Sequence, residues 1–554
     1  MLPTVNLLAK KRPRERNMSK AAEMARVSAK GGFHVLWGLV ISTVISAIGT
    51  IIIAIILGPD NYGLYTIALT APNLIIMFRD WGINTAIVKY SAQYNSEGNV
   101  AKIRNIFVSS LIFEIIVGLL LSALTFVLSG FLATLLQRPT IVPLIQIASF
   151  SVLAGALVTV ATAAFTGMET MHLNSIMLII QSVVKTVLII GLVLLGLGTL
   201  GGITGFTLAS VVAGIAGLLL IWTMYRSLPK LIAGKLEFML TIKTLIRYGL
   251  PVSIGTILVG FLTVFWNYIL AIYVTNNSII GNYNVANNFV VLITFFSMPV
   301  TTMLLPAFSK LDPKKDTETL KNIFQSSVKY ASLIVVPVTT MVIALSQPGI
   351  RTIFQNSYTE APFYLALLSV TYIFTALGNL SASNLIVGQG YTTFSLKTTI
   401  LTVAIGFPLG FLLTFQFGVI GLVVAMLTSG LPSIFLSLRF IKRHFGVSVD
   451  WVSSGKIILS SAIAAILTYL IIFKLPVHSL IQLIIGVSAF VIIFILIAVF
   501  TRTISIADMT NLRLLSGGLG PLSKPVNYVL DIIEKLMKAL RPEKDEEHDF
   551  TLQE

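Results

Sequence analysis

The chain is built from apolar runs of about 20 residues, and this run length limits its possible folds more than any other feature. A helix of about that length crosses the roughly 30 Å hydrocarbon core of a bilayer. Of the 554 residues, 56% are hydrophobic and only 11% are charged, whereas soluble domains have roughly 25% charged residues. We therefore predict an all-α integral membrane protein with about 14 transmembrane helices.

The apolar runs also predict the domain organisation. The helices are expected at 34–57, 62–88, 105–129, 143–168, 175–197, 200–224, 248–274, 281–306, 326–347, 362–386, 396–415, 419–438, 456–474 and 480–501. They form two six-helix lobes and one helix pair, with the predicted divisions 1–33 (basic cytoplasmic N-tail), 34–224 (N-lobe), 225–247 (cytoplasmic linker), 248–438 (C-lobe), 456–501 (helices 13 and 14) and 502–554 (cytoplasmic C-tail). The second helix is interrupted by Arg79-Asp80-Trp81-Gly82.

Charge placement predicts the orientation of these helices. With the N-terminus inside, 33 of the 38 Lys and Arg residues fall on the cytoplasmic side, as the positive-inside rule requires. We therefore expect a multi-pass protein of the plasma membrane with both termini cytoplasmic. Within the C-tail, residues 526–541 show helical apolar spacing with Lys and Arg on another side. This amphipathic helix either lies on the inner membrane surface or packs on the cytoplasmic loops.

Two short sequences recur at nearly the same offset. Gly63-Leu64-Tyr65-Thr66-Ile67-Ala68 returns 218 residues later as Gly281-Asn282-Tyr283-Asn284-Val285-Ala286, and Gly198-Thr199-Leu200-Gly201 returns 220 residues later as Gly418-Val419-Ile420-Gly421. Each copy opens a hydrophobic stretch. The pattern indicates that the membrane part is duplicated into two pseudo-symmetric lobes. Internal repeats of this kind are typical of secondary transporters, which bind substrate at the interface of the repeats.

Residues for catalysis or cofactor binding are scarce. The chain has no cysteine, its five histidines are scattered, and no Walker-type phosphate loop is present, so no metal site, cofactor or enzymatic activity is expected. The net charge of +16 follows the loops and favours anionic lipid headgroups. A nucleic-acid partner is not expected, because no basic cluster accompanies a soluble domain.

Four charged residues of the first half fall inside predicted helices: Arg79, Asp80, Glu114 and Lys185. Each lies about nine to eleven residues from the cytoplasmic end of its helix, or roughly 14–16 Å deep. A charge at that depth costs about 2.5–3.5 kcal/mol on insertion scales, so each needs a partner or water. Two interpretations follow. Either Arg79 or Lys185 pairs with Asp80 or Glu114 and locks the helices, or the cations line a hydrated cavity that receives an anionic substrate group.

The second half has no comparable mid-membrane charge. Its polar candidates are Asn267, Asn287 and Asn288, whose amides can bind sugar hydroxyls or neighbouring helices. A cavity that is cationic on one wall and neutral but polar on the other suits an amphiphile carrying a phosphate and a glycan.

At this point the sequence resembles a known family. The run Leu57-Gly58-Pro59-Asp60-Asn61-Tyr62-Gly63-Leu64-Tyr65 is similar to the L-G-P-x-x-Y-G-x-Y signature that follows helix 1 in the polysaccharide flippase (polysaccharide transporter) family. That family belongs to the multidrug/oligosaccharidyl-lipid/polysaccharide (MOP) flippase superfamily. Further, looser matches are Asp80-Trp81-Gly82-Ile83, Gly281-Asn282-Tyr283 with Ala286, and Gly388-Gln389-Gly390.

The resemblance covers residues 34–501 and implies two six-helix lobes facing a central cavity, plus two C-terminal helices. It further implies flipping of a polyprenyl-linked oligosaccharide from the cytoplasmic to the outer leaflet, beside glycosyltransferases or a polymerase of the same pathway. Family members often carry a charged residue late in helix 7, where this chain has Asn267. The substrate-binding candidates are thus Arg79, Asp80, Glu114, Lys185 and Asn267.

Two other functions compete with this one. A cation-coupled multidrug exporter of the same superfamily would be expected to carry a carboxylate in helix 1, which this chain lacks, and helices 13 and 14 would exceed its usual twelve. A membrane-embedded glycosyltransferase would need acidic residues in sizeable outer loops. The predicted outer loops are short and contain little beyond Asp60 and Glu360.

Overall fold

The fold of the described chain is entirely helical. The structure is a computed structural model that describes residues 20–79, 81–229, 237–309, 311–313, 315–504, 508–509, 513, 527–528, 530–532, 534–535 and 537. Its α-helices in chain order are α1 (Lys20–Ile76), α2 (Ile83–Ser96), α3 (Val100–Val127), α4 (Ser129–Leu135), α5 (Val142–Gly167), α6 (Met171–Leu192), α7 (Gly198–Ser227), α8 (Phe238–Tyr273), α9 (Asn277–Phe289), α10 (Val291–Ser309), α11 (Thr317–Ala344), α12 (Ser346–Phe354), α13 (Ala361–Ser369), α14 (Asn379–Gly388), α15 (Thr392–Phe445), α16 (Trp451–Phe473) and α17 (Ser479–Phe500).

The predicted class, an all-α multi-pass membrane protein, is confirmed, but the count of fourteen spans is not. Among the described residues, nine helices are long and apolar enough to cross a membrane, or ten if one bent pair counts as a span. Three of the nine, Gly38–Ile76, Met171–Ser227 and Thr392–Phe445, contain 39, 57 and 54 residues. Each covers two predicted helices and is far longer than the roughly 20 residues that one crossing needs.

The second helix, predicted at 62–88 with an interruption at Arg79-Asp80-Trp81-Gly82, is divided in the structure at that interruption. The helical run ends at Ile76 and a new helix begins at Ile83. Gly82, with φ 79° and ψ 8°, occupies the left-handed region that glycine adopts without a steric cost. A Cβ at Gly82 would also overlap the backbone of Gly249 in α8. The break therefore depends on a glycine, and it places Arg79 in a turn within an otherwise apolar region.

The repeated turn has the same backbone conformation in both copies. Gly198 has φ 51° and ψ −134°, and Gly418 has φ 56° and ψ −131°. Three residues later, a Cβ on Gly201 or Gly421 would collide with the backbone of the preceding helix, at Leu192 and Leu413 respectively. Two glycines with matching dihedral angles and matching surroundings support the duplication inferred from the sequence.

The described chain divides into two compact units. The first unit consists of residues 1–57 and 64–268, and the second of residues 58–63 and 269–554. In the first unit, α5 packs against both α3 and α7. Gly214 and Gly217 of α7 face Ala154 and Ala161 of α5, so small residues permit a close helix approach, as in many membrane bundles. The predicted lobe boundaries, 34–224 and 248–438, remain a prediction.

In the second unit, α11 packs against α16, and α16 against α17. The chain beyond α17 joins this unit through the ion pair between Nζ of Lys329 and Asp508, at 2.6 Å. Leu530 and Met537 are buried in a cluster with Val499. These two side chains of the predicted amphipathic helix thus pack on protein, whereas Val526, Val529, Ile533 and Leu540 lie outside the described residues.

The glycines that begin the two copies of the G-x-Y motif, Gly63 and Gly281, meet inside the second unit. A Cβ on Gly63 would overlap the carbonyl oxygen of Asn277, and a Cβ on Gly281 would overlap that of Pro59. Each glycine thus allows the backbone of the other copy to approach. Nearby, the Asn288 side chain donates a hydrogen bond to the hydroxyl of Tyr62 at 2.8 Å. The motif glycines serve close packing of two backbones.

This contact predicts the effect of a single methyl group. Gly281→Ala should destabilise the protein by about 1–3 kcal/mol, because backbone must move to accommodate the overlap. Thermal unfolding of the purified protein would show a lower midpoint. The matched control is Gly191→Ala in α6, where a Cβ meets nothing within 4 Å and helix propensity improves. Equal midpoints for the two variants would contradict the proposed close contact.

Candidate functional site

Arg79 lies in the turn between α1 and α2 and is buried in the first unit. Its side chain is only 5% exposed. Nη1 donates to the carbonyl oxygen of Val152 at 3.2 Å, and Nη2 donates to the hydroxyl of Thr159 at 3.0 Å. Gly155 of the same helix makes room, because a Cβ there would lie 3.0 Å from Nη1. The guanidinium is therefore held by the backbone and hydroxyl groups of α5.

The same guanidinium faces Glu114 of α3. Nε of Arg79 lies 3.6 Å from Oε2 of Glu114, whose side chain is fully buried. The amide of Asn84 in α2 donates to Oε1 of Glu114 at 3.4 Å. The structure thus brings Arg79 and Glu114 together, as the pairing interpretation expects for these two residues. Asp80 lies outside the described residues.

Lys185 occupies a different place in the first unit. It lines a cavity of about 160 Å³, which is large enough for several water molecules. Its Nζ lies 5.6 Å from the centre of the Phe206 ring. The lining contains no Asp or Glu, and within the described part of the chain no carboxylate pairs with Lys185. It is the charge for which the cavity interpretation fits best.

Three helices position the polar groups of this cavity, here called the Lys185 cavity. Besides Lys185 itself, they are Ser42, Ser46, Gln181, Ser182 and Ser210. Helix α1 comes close to α6 because Gly38 lies against Ser175 and Gly49 against Thr186. The close approach brings the hydroxyls of α1 to the same cavity as the ammonium on α6.

The Lys185 cavity has the chemistry of an anion site. Ser42, Ser182 and Ser210 donate to carbonyls of their own helices. The side chains of Ser46 and Gln181 make no hydrogen bond to the rest of the described chain, so they remain available to a ligand. An ammonium beside hydroxyl and amide donors suits a phosphate oxygen. A lysine at membrane depth with no ion-pair partner among the described residues is a candidate functional residue.

Two of the three asparagines predicted for the second half, Asn267 and Asn288, have hydrogen-bond partners in the described chain. The Asn267 amide donates to the carbonyl oxygen of Thr263 in its own helix at 3.2 Å, and Asn267 is not among the residues lining the Lys185 cavity. Asn288 bonds Tyr62. Neither contact shows a ligand role.

Sequence reasoning missed Ser42, Ser46 and Gln181 as cavity residues. Ser46 follows Ser42 by four residues and Lys185 follows Gln181 by four, and this spacing places each pair on one face of its helix.

Comparisons with known proteins agree with this architecture. A family described as "Polysaccharide biosynthesis protein" matches residues 28–312. The probable low-salt glycan biosynthesis flippase Agl15 of Haloferax volcanii is 22% identical over 271 residues, covering 48% of this chain and only 55% of that relative. A lipid II flippase in an inward closed conformation superposes with a TM-score of 0.67 at 17% identity, covering 84% of this chain and 98% of that one. An inward-facing multidrug resistance transporter of the MOP superfamily superposes with a TM-score of 0.56 at 17% identity, covering 75% and 100%.

The helical fold and its apolar spans define the class, a multi-pass membrane protein with the fold of a lipid II flippase and of a multidrug resistance transporter of the MOP superfamily. Within this class the chain belongs to the polysaccharide biosynthesis protein family, since the match to that family covers more than half of the sequence. The resemblance drawn from the L-G-P-x-x-Y-G-x-Y run is thereby confirmed.

Proposed function

We propose that this protein flips a polyprenyl-linked oligosaccharide from the cytoplasmic to the outer leaflet of the plasma membrane by alternating access. The observation that carries the proposal is the Lys185 cavity, where the Lys185 ammonium has no carboxylate partner in the described part of the chain and lies beside the hydroxyl of Ser46 and the amide of Gln181. A phosphate that links lipid to glycan is the anionic group such a cavity would receive. The names of the related glycan biosynthesis flippase and of the lipid II flippase support the same substrate class.

The lipid tail has a different requirement. A polyprenyl chain is too apolar to enter a hydrated cavity, so it stays in the bilayer while the headgroup crosses. Helices α16 and α17 offer an apolar surface for it, with Phe473 75% and Phe500 87% exposed. A photoactivatable polyprenyl phosphate should crosslink to these two helices. Crosslinks confined to the first unit would refute this assignment.

The function is tested with purified protein in vesicles. A fluorescent polyprenyl diphosphate oligosaccharide, inserted in one leaflet, should become accessible to an impermeant quencher on the opposite side at a protein-dependent rate. A matched lipid without phosphate should not move faster than in empty vesicles. Accumulation of a cationic dye driven by an ion gradient, with no movement of the glycolipid, would instead establish the multidrug exporter alternative.

The proposed orientation places both termini and any partner glycosyltransferase or polymerase on the cytoplasmic side or within the membrane. It can be tested cleanly because the chain has no cysteine. Ser357 and Ser448 are exposed in loops, whereas Ser129 and Ser454 are buried and would be poor probes. In intact cells an impermeant thiol reagent should label Ser357→Cys, and it should label Ser448→Cys only after permeabilisation. The reverse pattern would invert the topology.

A further inference from the structure

A second cavity lies within the second unit, at a break in a membrane helix. Helix α13 runs into the 3₁₀ segment Val370–Leu377, which ends at Gly378 with φ 85° and ψ 17°. The helix axis bends by 56° between that segment and α14. Irregular backbone at membrane depth is tolerated where it is buried in protein or lines a water-filled cavity. Here it borders a cavity of about 240 Å³, which we call the hydroxyl cavity.

The lining of the hydroxyl cavity is polar but uncharged. Eight Ser and Thr hydroxyls and one Asn amide come from α14, both halves of α15 and the 3₁₀ segment, and no Asp, Glu, Lys or Arg is among the lining residues. A phosphate would find no cation there, and a metal ion or cationic drug would find no carboxylate. The cavity therefore selects for a neutral, hydrogen-bonding ligand.

Several of these polar groups remain available. Thr402 and Ser433 bond each other at 2.6 Å, and Ser433 also donates to the carbonyl oxygen of Thr398. In contrast, the side chains of Thr371, Asn379, Ser383 and Ser437 make no hydrogen bond to other described residues. Groups that can both donate and accept match the hydroxyls of a ligand that does the same. They are spread over the wall of a concave site, as polar groups in binding pockets are.

An aromatic ring completes the wall. Phe374, in the 3₁₀ segment, is half-buried and lines the cavity together with Ile386 and Ile434. A sugar ring has polar edges and an apolar face, and burying that face on an aromatic ring is favourable. The volume lies below the roughly 300–1,000 Å³ of pockets for drug-sized ligands. It therefore suits one sugar unit and not a whole oligosaccharide.

We infer that the hydroxyl cavity binds one neutral sugar unit. The inference rests on the proposed function for the source of that sugar, a lipid-linked glycan, but the binding itself is a property of this cavity alone. It adds a recognition site for the glycan in the second unit, where Asn288, one of the asparagines singled out by the sequence, already bonds Tyr62. It also means that a uronic acid, which carries a carboxylate, is disfavoured at this position.

The test measures sugar binding to the purified full-length protein in detergent. Saturation-transfer NMR with glucose, galactose, mannose and N-acetylglucosamine at millimolar concentration should show transfer to at least one of them. The double variant Ser383→Val with Ser437→Val removes two available hydroxyls without adding charge, and affinity should fall about tenfold or more. The control is Ser488→Val in α17, whose hydroxyl is exposed and donates to its own helix.

Specific outcomes would overturn the inference. These are absence of transfer to every neutral sugar, equal transfer in the double variant and the wild type, or equal affinity for glucuronate and glucose. Lys185→Met separates the inference from the proposed function, because it should block glycolipid flipping in vesicles while leaving sugar binding unchanged. If flipping fails in wild-type protein but sugar binding persists and depends on Ser383 and Ser437, the proposed function is wrong and the site stands.

Discussion

Replacing Lys185 by methionine is expected to reduce glycolipid flipping about 10- to 100-fold while the protein stays at its normal level in the membrane. The size of the effect follows from losing a hydrogen bond to a charged group, worth roughly 1.5–3 kcal/mol. The normal level follows from the structure, because no described carboxylate depends on Lys185. Removing a charge from membrane depth also removes its insertion cost.

Flipping in vesicles and the quantity of protein in membranes should be measured together. Lys185→Arg keeps the charge and should retain part of the activity, although its planar group fits the cavity differently. Lys102→Ala, at an exposed position in the first turn of α3, is the control for loss of a lysine elsewhere. Unchanged flipping by Lys185→Met would remove this residue from the mechanism and the main support from the proposed function.

The sequence predicts the class of fold well because the bilayer requires it. The apolar runs and the placement of Lys and Arg indicate which segments cross the membrane. Both are local properties of the sequence. The ends of the helices are harder to predict from the sequence. Gly198 and Gly418 turn the chain without a polar loop, and the helical pattern on both sides then continues. Counting continuous helices among the described residues therefore gives fewer membrane spans than counting apolar runs in the sequence.

The candidate site was only partly predictable, for a physical reason. Hydropathy identifies Arg79, Glu114 and Lys185 as costly charges, but it does not show which residues meet across different helices. The pairing of Arg79 with Glu114 depends on the turn at Gly82 and on the space left by Gly155. The Lys185 cavity depends on small residues of α1 that let it approach α6. The sequence contains no pattern that predicts the hydroxyl cavity, because serine and threonine are common in membrane helices, where they bond the backbone of their own helix.

The two halves show how a duplicated scaffold can carry different chemistry. The backbone of the repeated turn is conserved between Gly198 and Gly418, while the polar groups placed on the helices differ. In the first unit they include the Lys185 ammonium and a buried ion pair, whereas the polar groups that line the cavity of the second unit are neutral hydroxyls and one amide. Function is thus set by side chains added to a shared fold. The proposed phosphate and sugar sites follow this division.

Arg79→Ala is expected to act on stability, in contrast to Lys185→Met. Removing the guanidinium leaves the fully buried carboxylate of Glu114 without this cation, and breaking one partner of a buried pair costs about 3–5 kcal/mol. Losses of that size approach the total stability of many proteins. We therefore expect little Arg79→Ala protein in the membrane, measured by immunoblot of membrane fractions and by thermal unfolding of what can be purified.

Neutralising the partner should restore the protein. In Arg79→Met with Glu114→Gln neither member of this pair is charged, and the glutamine can still accept from Asn84, so the membrane level should return to near wild type. The control is Arg226→Ala, since Arg226 is exposed and stacks on Trp222; its level should not change. The rescued double variant also separates structure from function. If the double variant flips glycolipid normally, the role of Arg79 is to hold α2, α3 and α5 together. If Arg79→Ala instead accumulates normally but cannot flip glycolipid, Arg79 acts on the substrate and the structural assignment is wrong.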